Sequence, residues 1–237
     1  MPISKTIKKL FRFILKLIGL FFVSTILVVV IYKFVPVFVT PLMVIRSVEQ
    51  VTDPEKEFDM SKDWVRLHNI SKKMPLAVIA AEDQRFMDHF GLDMEAIEKA
   101  QEYNRKHKGK KVRGASTISQ QTAKNVFLWP SRSWVRKGFE VYFTFLIELI
   151  WGKERIIEVY LNVAEMGDGV FGVEAAAQGY FSKPALKLSA NESAAIAACL
   201  PNPRRWRPDR PTAYINRRTS WIRKQMYQIE KPEFLGK

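Results

Sequence analysis

The sequence predicts a mainly α-helical globular domain preceded by one N-terminal transmembrane helix. Three observations predict this fold class. Residues 17–32 contain no charged side chain, apolar residues recur at helical spacing in several later stretches, and no segment alternates convincingly as a β-strand does. The chain of 237 residues has room for one anchor and one domain of roughly 190 residues. A domain of that size forms a sufficient core, so it needs no disulfide or structural metal to fold.

The N-terminal segment has the composition of a membrane anchor. Lys33 interrupts the apolar run, which continues over residues 34–45 apart from Thr40. A bilayer core of about 30 Å requires about 20 residues, and a lysine near the end of a span can reach the headgroups. We therefore predict a transmembrane helix over residues 17–39. A cleaved signal peptide is the alternative, but the apolar part is long for one and no small-x-small site follows it.

The distribution of charge gives the anchor an orientation. Five cations precede the apolar run, at Lys5, Lys8, Lys9, Arg12 and Lys16. By the positive-inside rule, residues 1–16 form a cytoplasmic basic segment, and residues 40–237 are expected to lie outside the inner membrane. The net charge of +14 indicates an anionic partner. Lipid headgroups and a pyrophosphate qualify, whereas nucleic acid is not expected at that location.

The domain is predicted as a series of helices joined by connectors. Residues 43–60 form a connector with a break at Asp53-Pro54, and residues 70–81 form a helix with Pro75 in its first turn. The basic residues 98–113 predict a mobile loop, or a solvated surface without a role. Cys199, the only cysteine, is expected to be buried. Further helices are predicted around residues 116–125, 153–163, 175–177, 190–199 and 213–228.

Glu82 is the first candidate catalytic residue, because it follows the apolar helix over residues 70–81. A carboxylate at the edge of an apolar surface tends to have a raised pKa, which suits proton transfer to or from a sugar hydroxyl. An ordinary surface pair of Glu82 with Asp83 is the alternative.

A polar helix provides candidate binding residues. Eight of the ten residues 116–125 are polar, with Ser116 or Thr117 available as N-cap. Hydroxyls, amides and one lysine bind phosphate oxygens and sugar hydroxyls directionally. The candidates are Ser116, Gln120, Gln121, Lys124 and Asn125. A helix with a merely polar face is the alternative.

A cluster of cations follows, with one carboxylate. Arg132, Arg136 and Glu140 align at i, i+4 and i+8 if the segment is helical, and Lys137 adds a further cation. Surface ion pairs are the alternative. Glu140 opens the apolar segment 139–151, which most often indicates core, with membrane insertion or lipid-tail binding as the second interpretation. The three histidines lack zinc-ligand spacing, and Ser-x-x-Lys and Gly-x-Ser-x-Gly motifs do not occur, which disfavours zinc chemistry and serine acyl transfer.

Four clusters in this order resemble the signature motifs of the peptidoglycan glycosyltransferases of glycosyltransferase family 51. The clusters are Glu82-Asp83-x-x-Phe86-x-x-His89-x-Gly91, Gly114-x-Ser116-Thr117-Ile118-x-Gln120-Gln121-x-x-Lys124-Asn125, Arg136-Lys137-x-x-Glu140 and Lys153-x-x-Ile156-Ile157-Glu158-x-Tyr160-Leu161-Asn162. The resemblance covers about residues 60–210 and extends through Gly172-Val173-Glu174 and Leu200-Pro201-Asn202-Pro203. Because no transpeptidase domain follows, the chain resembles the monofunctional members of the family.

The resemblance implies a lysozyme-like fold and an enzyme that polymerises lipid II into β-1,4-linked glycan strands. It implies an inverting reaction that releases undecaprenyl pyrophosphate, with Glu82 as general base for the acceptor hydroxyl. Glu140 would be the second essential carboxylate, assisting the leaving group through a divalent cation, Mg²⁺ or Mn²⁺, and no organic cofactor is expected. Ser116, Lys124 and Arg132 would hold the donor pyrophosphate. Gln120, Gln121, Lys153 and Arg155 would be further site residues.

Partners and rival functions follow from the same residues. The expected partners are lipid II, the growing lipid-linked strand, inner-membrane lipid and other proteins of wall synthesis or division. A lysozyme or lytic transglycosylase is the nearest rival, since two carboxylates suit both reactions. A cleaving enzyme has no need of Lys124, Arg132 and Arg136 around a phosphate. A non-catalytic membrane-anchored scaffold is the third interpretation, and it predicts that both carboxylates are dispensable.

Overall fold

The computed structural model describes residues 5–55, 58–107, 112–131 and 133–236. Helices make up 64% of the described residues and strands 3%, which confirms the prediction of a mainly α-helical protein. The chain forms two compact units, residues 1–35 and 36–237. The α-helices are α1 Lys5–Phe34, α2 Pro41–Thr52, α3 Lys73–Glu82, α4 Met94–Lys106, α5 Ile118–Phe127, α6 Trp134–Ile150, α7 Gly152–Val163, α8 Val173–Phe181, α9 Ala190–Cys199 and α10 Ala213–Gln225.

The first unit consists of α1. Residues Thr6–Phe34 form a stretch of 29 residues with a mean hydropathy of 2.8, long and apolar enough to cross a membrane. This helix is consistent with a single-pass anchor. It ends at Phe34 rather than at residue 39, because Pro36 has no backbone donor and disfavours helix at the preceding residue.

The second unit begins with a helix that sequence analysis interpreted as a connector. α2 occupies most of the region predicted to be irregular, so that prediction is wrong. The Thr40 side chain accepts a hydrogen bond from the backbone N–H of Met43 at 3.3 Å, and Pro41 stands in the first turn, where its missing donor costs nothing. The predicted break does coincide with the helix end, where Asp53 is the C-cap.

Two groups of helices form the core of the second unit. The alanine-rich α9 packs against α3 and α10, and α5 packs against α6 and α7. Small side chains on α9 allow close approach, and Cys199 at its end is buried, as predicted. A small sheet completes the unit, with β3 Val170–Phe171 between β1 Ser61–Lys62, which is parallel to it, and β2 Glu165–Gly167, which is antiparallel.

One glycine joins this sheet to α8. Gly172 has φ +83°, and a Cβ there would lie 2.8 Å from the carbonyl oxygen of Asn162. Only glycine fits both this backbone conformation and this close approach to α7.

Residues 98–106 form part of a helix rather than the predicted mobile loop. α4 spans Met94–Lys106, and the side chain of Asp93 caps its start by accepting from Ala96 N–H at 3.0 Å. Lys106 and Glu102 pair at i,i+4, so the charged composition supports a solvated helix. Of the predicted loop, residues 108–111 lie outside the described residues.

The apolar segment 139–151 lies almost entirely in α6 and has two faces. Phe143, Thr144 and Ile147 are buried in the core, whereas Phe145 and Leu149 are 43% and 75% exposed. The core interpretation therefore holds for one face of α6. Contact of the other face with lipid stays a prediction.

Candidate active site

Three helices fix the orientation of one carboxylate. Glu82 is the last residue of α3, and its Oε2 accepts a hydrogen bond from Gln121 Nε2 on α5 at 3.0 Å. The hydroxyl of Tyr160 on α7 donates to Gln121 Oε1 at 3.3 Å. These two bonds give the Gln121 amide a single orientation, and Oε2 is the Glu82 oxygen that its NH₂ group fixes in place.

Burial raises the pKa of the Glu82 carboxyl above its ordinary value. The hydrogen bond from Gln121 and the charges of Arg218 and Lys124 act in the opposite direction, while the neighbouring Asp83 adds to the rise. The raised pKa that sequence analysis predicted is confirmed. A carboxylate with a raised pKa is a stronger proton acceptor once it is ionised, which suits a general base.

Asp83 connects the end of α3 to the start of α5. Its Oδ2 accepts from the backbone N–H of Ile118 at 3.0 Å, which satisfies a free donor at the start of α5. Its Oδ1 lies 2.9 Å from Nε2 of His89, and both side chains are buried. Asp83 thereby sets the spacing between Glu82 and the helix that carries Gln121. Sequence analysis gave Asp83 no role of its own, although its place beside Glu82 in the first cluster was a signal.

Gln120 has a structural position that sequence analysis missed. It forms a capping box with Thr117, the N-cap of α5, in which Gln120 Oε1 accepts from Thr117 N–H at 3.1 Å. The side chain is only 3% exposed. The predicted N-cap is confirmed, and the geometry gives Gln120 the role of starting the helix, whereas its contact with substrate stays a prediction.

Two clefts lie near the ends of α5, one at its N-cap and one beside its last turn. One, of about 280 Å³, is lined by Glu82 and Asp83 together with residues 114–117 and the charged side chains Arg85 and Lys99. The other, of about 550 Å³, is lined by Lys124, Asn125 and Arg136, with Arg46 of α2 at its edge. The predicted base and the predicted cations therefore border two separate clefts, one at the start of α5 and one near its end.

The second cleft is lined by cations, and one of them, Arg136, pairs with a buried carboxylate that is not itself among the described lining residues. Glu140 is 3% exposed, and its two oxygens accept from Arg136 and Lys137. Burial lowers the pKa of Lys124, while the charge of Glu140 opposes that fall. Among the described residues, Arg136 Nε has no hydrogen-bond acceptor although it is buried. Spare donors of this kind suit an anion with several oxygens.

The predicted cation cluster is confirmed in part. Arg136 and Glu140 pair at i,i+4, but α6 begins at Trp134 with Ser133 as N-cap. Arg132 lies outside the described residues, so its alignment with them stays a prediction. Ser116 is exposed and lines the cleft of Glu82, and it also lines a third groove together with Lys137.

Lys153 and Arg155 form structural contacts on α7. Lys153 Nζ donates to Glu148 Oε1 at 2.7 Å and to the carbonyl oxygen of His89 at 2.6 Å. Arg155 pairs with Glu158 and lies over the ring of Trp64, 5.1 Å from its centroid. Neither side chain is among the described residues that line the two clefts. Their predicted contact with substrate has no support in this geometry.

Replacing Lys153 by Met is expected to destabilise the protein. Glu148 would remain buried without its cation, and removing one partner of a buried pair costs about 3–5 kcal/mol. At roughly 2–4 °C per kcal/mol the melting temperature should fall by at least about 6 °C in a thermal melt. Lys99→Met, at a lysine whose side chain is 72% exposed, serves as control and should melt within about 2 °C of the wild type. An unchanged melting temperature for Lys153→Met would show that its ion pair with Glu148 does not stabilise the fold.

The described residues do not fit a resident divalent cation. No group of three or more His, Cys, Asp or Glu side chains among them could hold an ion. Glu140, the predicted ligand, already binds Arg136 and Lys137 through both oxygens. Mg²⁺ demands near-octahedral oxygen coordination, which this cationic surrounding does not offer.

Arg218 and Arg46 are site residues that sequence analysis did not single out. Arg218 on α10 reaches within 3.7 Å of Glu82, and Arg46 on α2 pairs with Glu165 at the edge of the second cleft. Both come from elements distant in sequence, and no local pattern marks either arginine. The basic composition of α10 was the only sequence signal.

Comparison with known proteins shows the family to which the chain belongs. The model of the transglycosylase family matches residues 49–227. A biosynthetic peptidoglycan transglycosylase of Bacteroides thetaiotaomicron is 56% identical over 225 residues, covering 95% of this chain and 90% of the relative. Proteins of the same description from Bdellovibrio bacteriovorus and Escherichia coli are 58% and 51% identical, covering 86% and 87% of this chain and 80% and 85% of the relatives.

A mainly α-helical domain with a buried carboxylate beside a cationic cleft has the features of a glycosyl-transferring enzyme with a lysozyme-like fold. The matches over most of the chain define the family more narrowly than the fold and the site do. The chain belongs to the transglycosylase family.

Proposed function

We propose that this transglycosylase polymerises lipid II into β-1,4-linked glycan strands of peptidoglycan, with release of undecaprenyl pyrophosphate. The observation that carries the proposal is the pairing of an oriented, largely buried carboxylate at Glu82, held by Gln121 of α5, with a cationic cleft lined by Lys124 of that same helix. A carboxylate alone suits many sugar reactions. The cations indicate that the leaving group is a phosphate ester.

Glu82 acts as the general base in this proposal. It accepts the proton of the acceptor's 4-hydroxyl, and the hydroxyl oxygen forms the new bond to the anomeric carbon of the donor. The bond between that carbon and the pyrophosphate oxygen breaks, and its electron pair leaves with the pyrophosphate. A single displacement of this kind inverts the configuration of the anomeric carbon. The cleft lined by Glu82 would then hold the acceptor sugar.

The second cleft stabilises the leaving group. Lys124 and Arg136 line it, and charge that develops on the pyrophosphate meets cations already held in place. Glu140 organises Arg136 and Lys137. We include Arg132, Ser116 and Asn125 as further donors on the ground of the motif resemblance. We assign no step to a divalent cation, and assays with and without Mg²⁺ or Mn²⁺ test its part.

A membrane location is supported by α1. A lipid-linked substrate requires an enzyme at the bilayer, and α1 is long enough to hold it there. Because cations cluster before the apolar run, we place the N-terminus in the cytoplasm and the second unit on the periplasmic face of the inner membrane. The 237 residues contain no Ser-x-x-Lys motif, so we propose no transpeptidation step.

Incubation of the purified, detergent-solubilised full chain with labelled lipid II tests the proposal. A ladder of glycan strands on a gel is the expected result. Release of fragments from preformed peptidoglycan without a ladder would replace it by a lytic activity. Inactivity in both assays, with a correctly melting protein, would favour a scaffold role.

A further inference from the structure

Arg218 on α10 approaches Glu82 from outside the four sequence clusters. Its Nη2 lies 3.7 Å from Glu82 Oε1, with the two side chains 25% and 15% exposed. Since α10 packs against both α3 and α9, its Arg218 guanidinium comes close to the carboxylate at the end of α3. A further contact joins α10 to the turn after α3, where Gln84 Nε2 donates to Gln225 Oε1 at 3.4 Å.

The two oxygens of Glu82 have different surroundings. Oε2 accepts the hydrogen bond from Gln121 at 3.0 Å, whereas Oε1 faces a guanidinium at a distance too long for a hydrogen bond. Arg218 therefore attracts the carboxylate charge without occupying a lone pair of Oε1. Its buried Nε has no hydrogen-bond acceptor among the described residues, so no hydrogen bond at that atom competes with the attraction to Glu82.

The charged groups around Glu82 come from several packed elements. Asp83 follows it in the chain, Lys124 lies on α5, Arg218 on α10, and the neutral Tyr160 hydroxyl reaches it through Gln121 from α7. Lys124 and Arg218 are the cations that favour the ionised form. When the donor pyrophosphate occupies the cleft of Lys124, its negative charge cancels the effect of that lysine. Arg218 is then the cation that still opposes protonation of the base.

We propose that Arg218 is a positioning residue that keeps Glu82 ionised and leaves Oε1 free to accept the proton of the acceptor hydroxyl. This inference rests on the proposed function of Glu82 as the base. It adds that Oε1, rather than the Gln121-bound Oε2, is the reacting oxygen. It also gives α10 a part in the chemistry, although this helix contributes no side chain to the lining of the acceptor cleft among the described residues.

The test compares Arg218→Gln, Arg218→Lys and the wild type in the pH dependence of kcat/KM for lipid II polymerisation. Removing a cation at this distance raises the pKa of Glu82, because an opposite charge within about 4–6 Å lowers a carboxyl pKa by about 1–3 units. The acid limb for Arg218→Gln should therefore move to higher pH by about 1 unit or more. Activity on the acid side should fall by about tenfold per unit of that shift and recover at higher pH. Arg218→Lys should restore most of the wild-type profile.

Arg217→Gln is the matched control, since Arg217 is the adjacent residue of α10 and is exposed. Its profile should coincide with that of the wild type. A rate for Arg218→Gln that is lowered equally at every pH, with an unshifted acid limb, would overturn the proposal and indicate a substrate contact. An unchanged profile would also overturn it.

A second measurement separates this inference from the proposed function. ¹³C NMR of protein labelled at glutamate carboxyls, with Glu82→Gln to identify the signal, titrates Glu82 in the full chain without substrate. A higher pKa of Glu82 in Arg218→Gln than in the wild type is expected even if lipid II proves not to be the substrate. An equal pKa in both proteins overturns the role of Arg218. A thermal melt of each variant shows that the comparison is made on folded protein.

Discussion

Replacing Glu82 by Gln is expected to abolish glycan-strand synthesis while the fold is kept. The amide has the size of the carboxyl group and can still accept the hydrogen bond from Gln121, but it cannot take the proton of the acceptor hydroxyl. General-base catalysis contributes about 10² to 10⁴ in rate, so at least a hundredfold loss is expected. The measurement is the formation of a strand ladder from labelled lipid II.

The control for this variant is Glu98→Gln, at an exposed carboxylate on α4. It should polymerise at the wild-type rate. A ladder from Glu82→Gln at near wild-type rate would show that another group removes the proton. Loss of activity in both variants would indicate a general effect of removing negative charge.

The Glu82 carboxyl makes the stability of the wild type depend on pH, and Glu82→Gln removes this contribution. Because the pKa of Glu82 is raised by folding, the native state binds more protons than the unfolded state between the ordinary and the raised pKa. Stability therefore falls as pH rises through that window, and ionised Glu82 costs stability above it. The neutral Gln removes this cost, so its melting temperature at neutral pH should not lie below that of the wild type. A marked fall would show that the charge of Glu82 stabilises the fold.

The helices that carry the predicted site were predictable because their signals are local. The apolar run before Glu82 and Pro75 in its first turn define α3, and both lie within a few residues of each other. Thr117 and Gln120 at the spacing of a capping box define the start of α5 in the same way. Such patterns act within one or two turns, so they are visible in the sequence alone.

The role of a side chain within the folded site was less predictable. Gln120 was chosen as a binding residue because polar side chains suit a substrate, and Lys153 was chosen because of the resemblance to the family. The fold uses Gln120 to cap a helix and Lys153 to neutralise a buried glutamate. Arg218 approaches Glu82 only because α10 packs on α3. Contacts between elements distant in sequence decide these roles, and one sequence without its fold does not contain them.

The prediction of a loop over residues 98–106 was wrong because it rested on the high content of charged and polar residues. The stretch was predicted to be a loop because it is basic and polar, but acidic residues one turn before the lysines stabilise α4. An N-cap at Asp93 adds a start signal that sequence analysis did not use. Here the local information was present, and its helical spacing outweighed the overall polarity.

Replacing Glu140 by Gln is expected to lower both stability and activity. The side chain lies buried among Arg136, Lys137 and Lys124, and the substitution leaves these cations without their shared counter-charge. Breaking a buried pair costs about 3–5 kcal/mol, so the melting temperature should fall by at least about 6 °C. Polymerisation should fall as well, because Arg136 loses the contact that orients it. Differential scanning calorimetry and the lipid II ladder measure the two effects.

Added inorganic pyrophosphate tests whether Glu140 acts as the counter-charge of the neighbouring cations or as a metal ligand. If Glu140 balances the cations of the second cleft, added pyrophosphate supplies the missing negative charge, and it should raise the melting temperature of Glu140→Gln more than that of the wild type. Lys137→Met, which removes the more exposed of the two cations, should show no such excess. If Glu140 instead held a divalent cation, EDTA would lower the wild-type melting temperature and leave that of Glu140→Gln unchanged. The hydrogen bonds from Arg136 and Lys137 to the two Glu140 oxygens favour the first result.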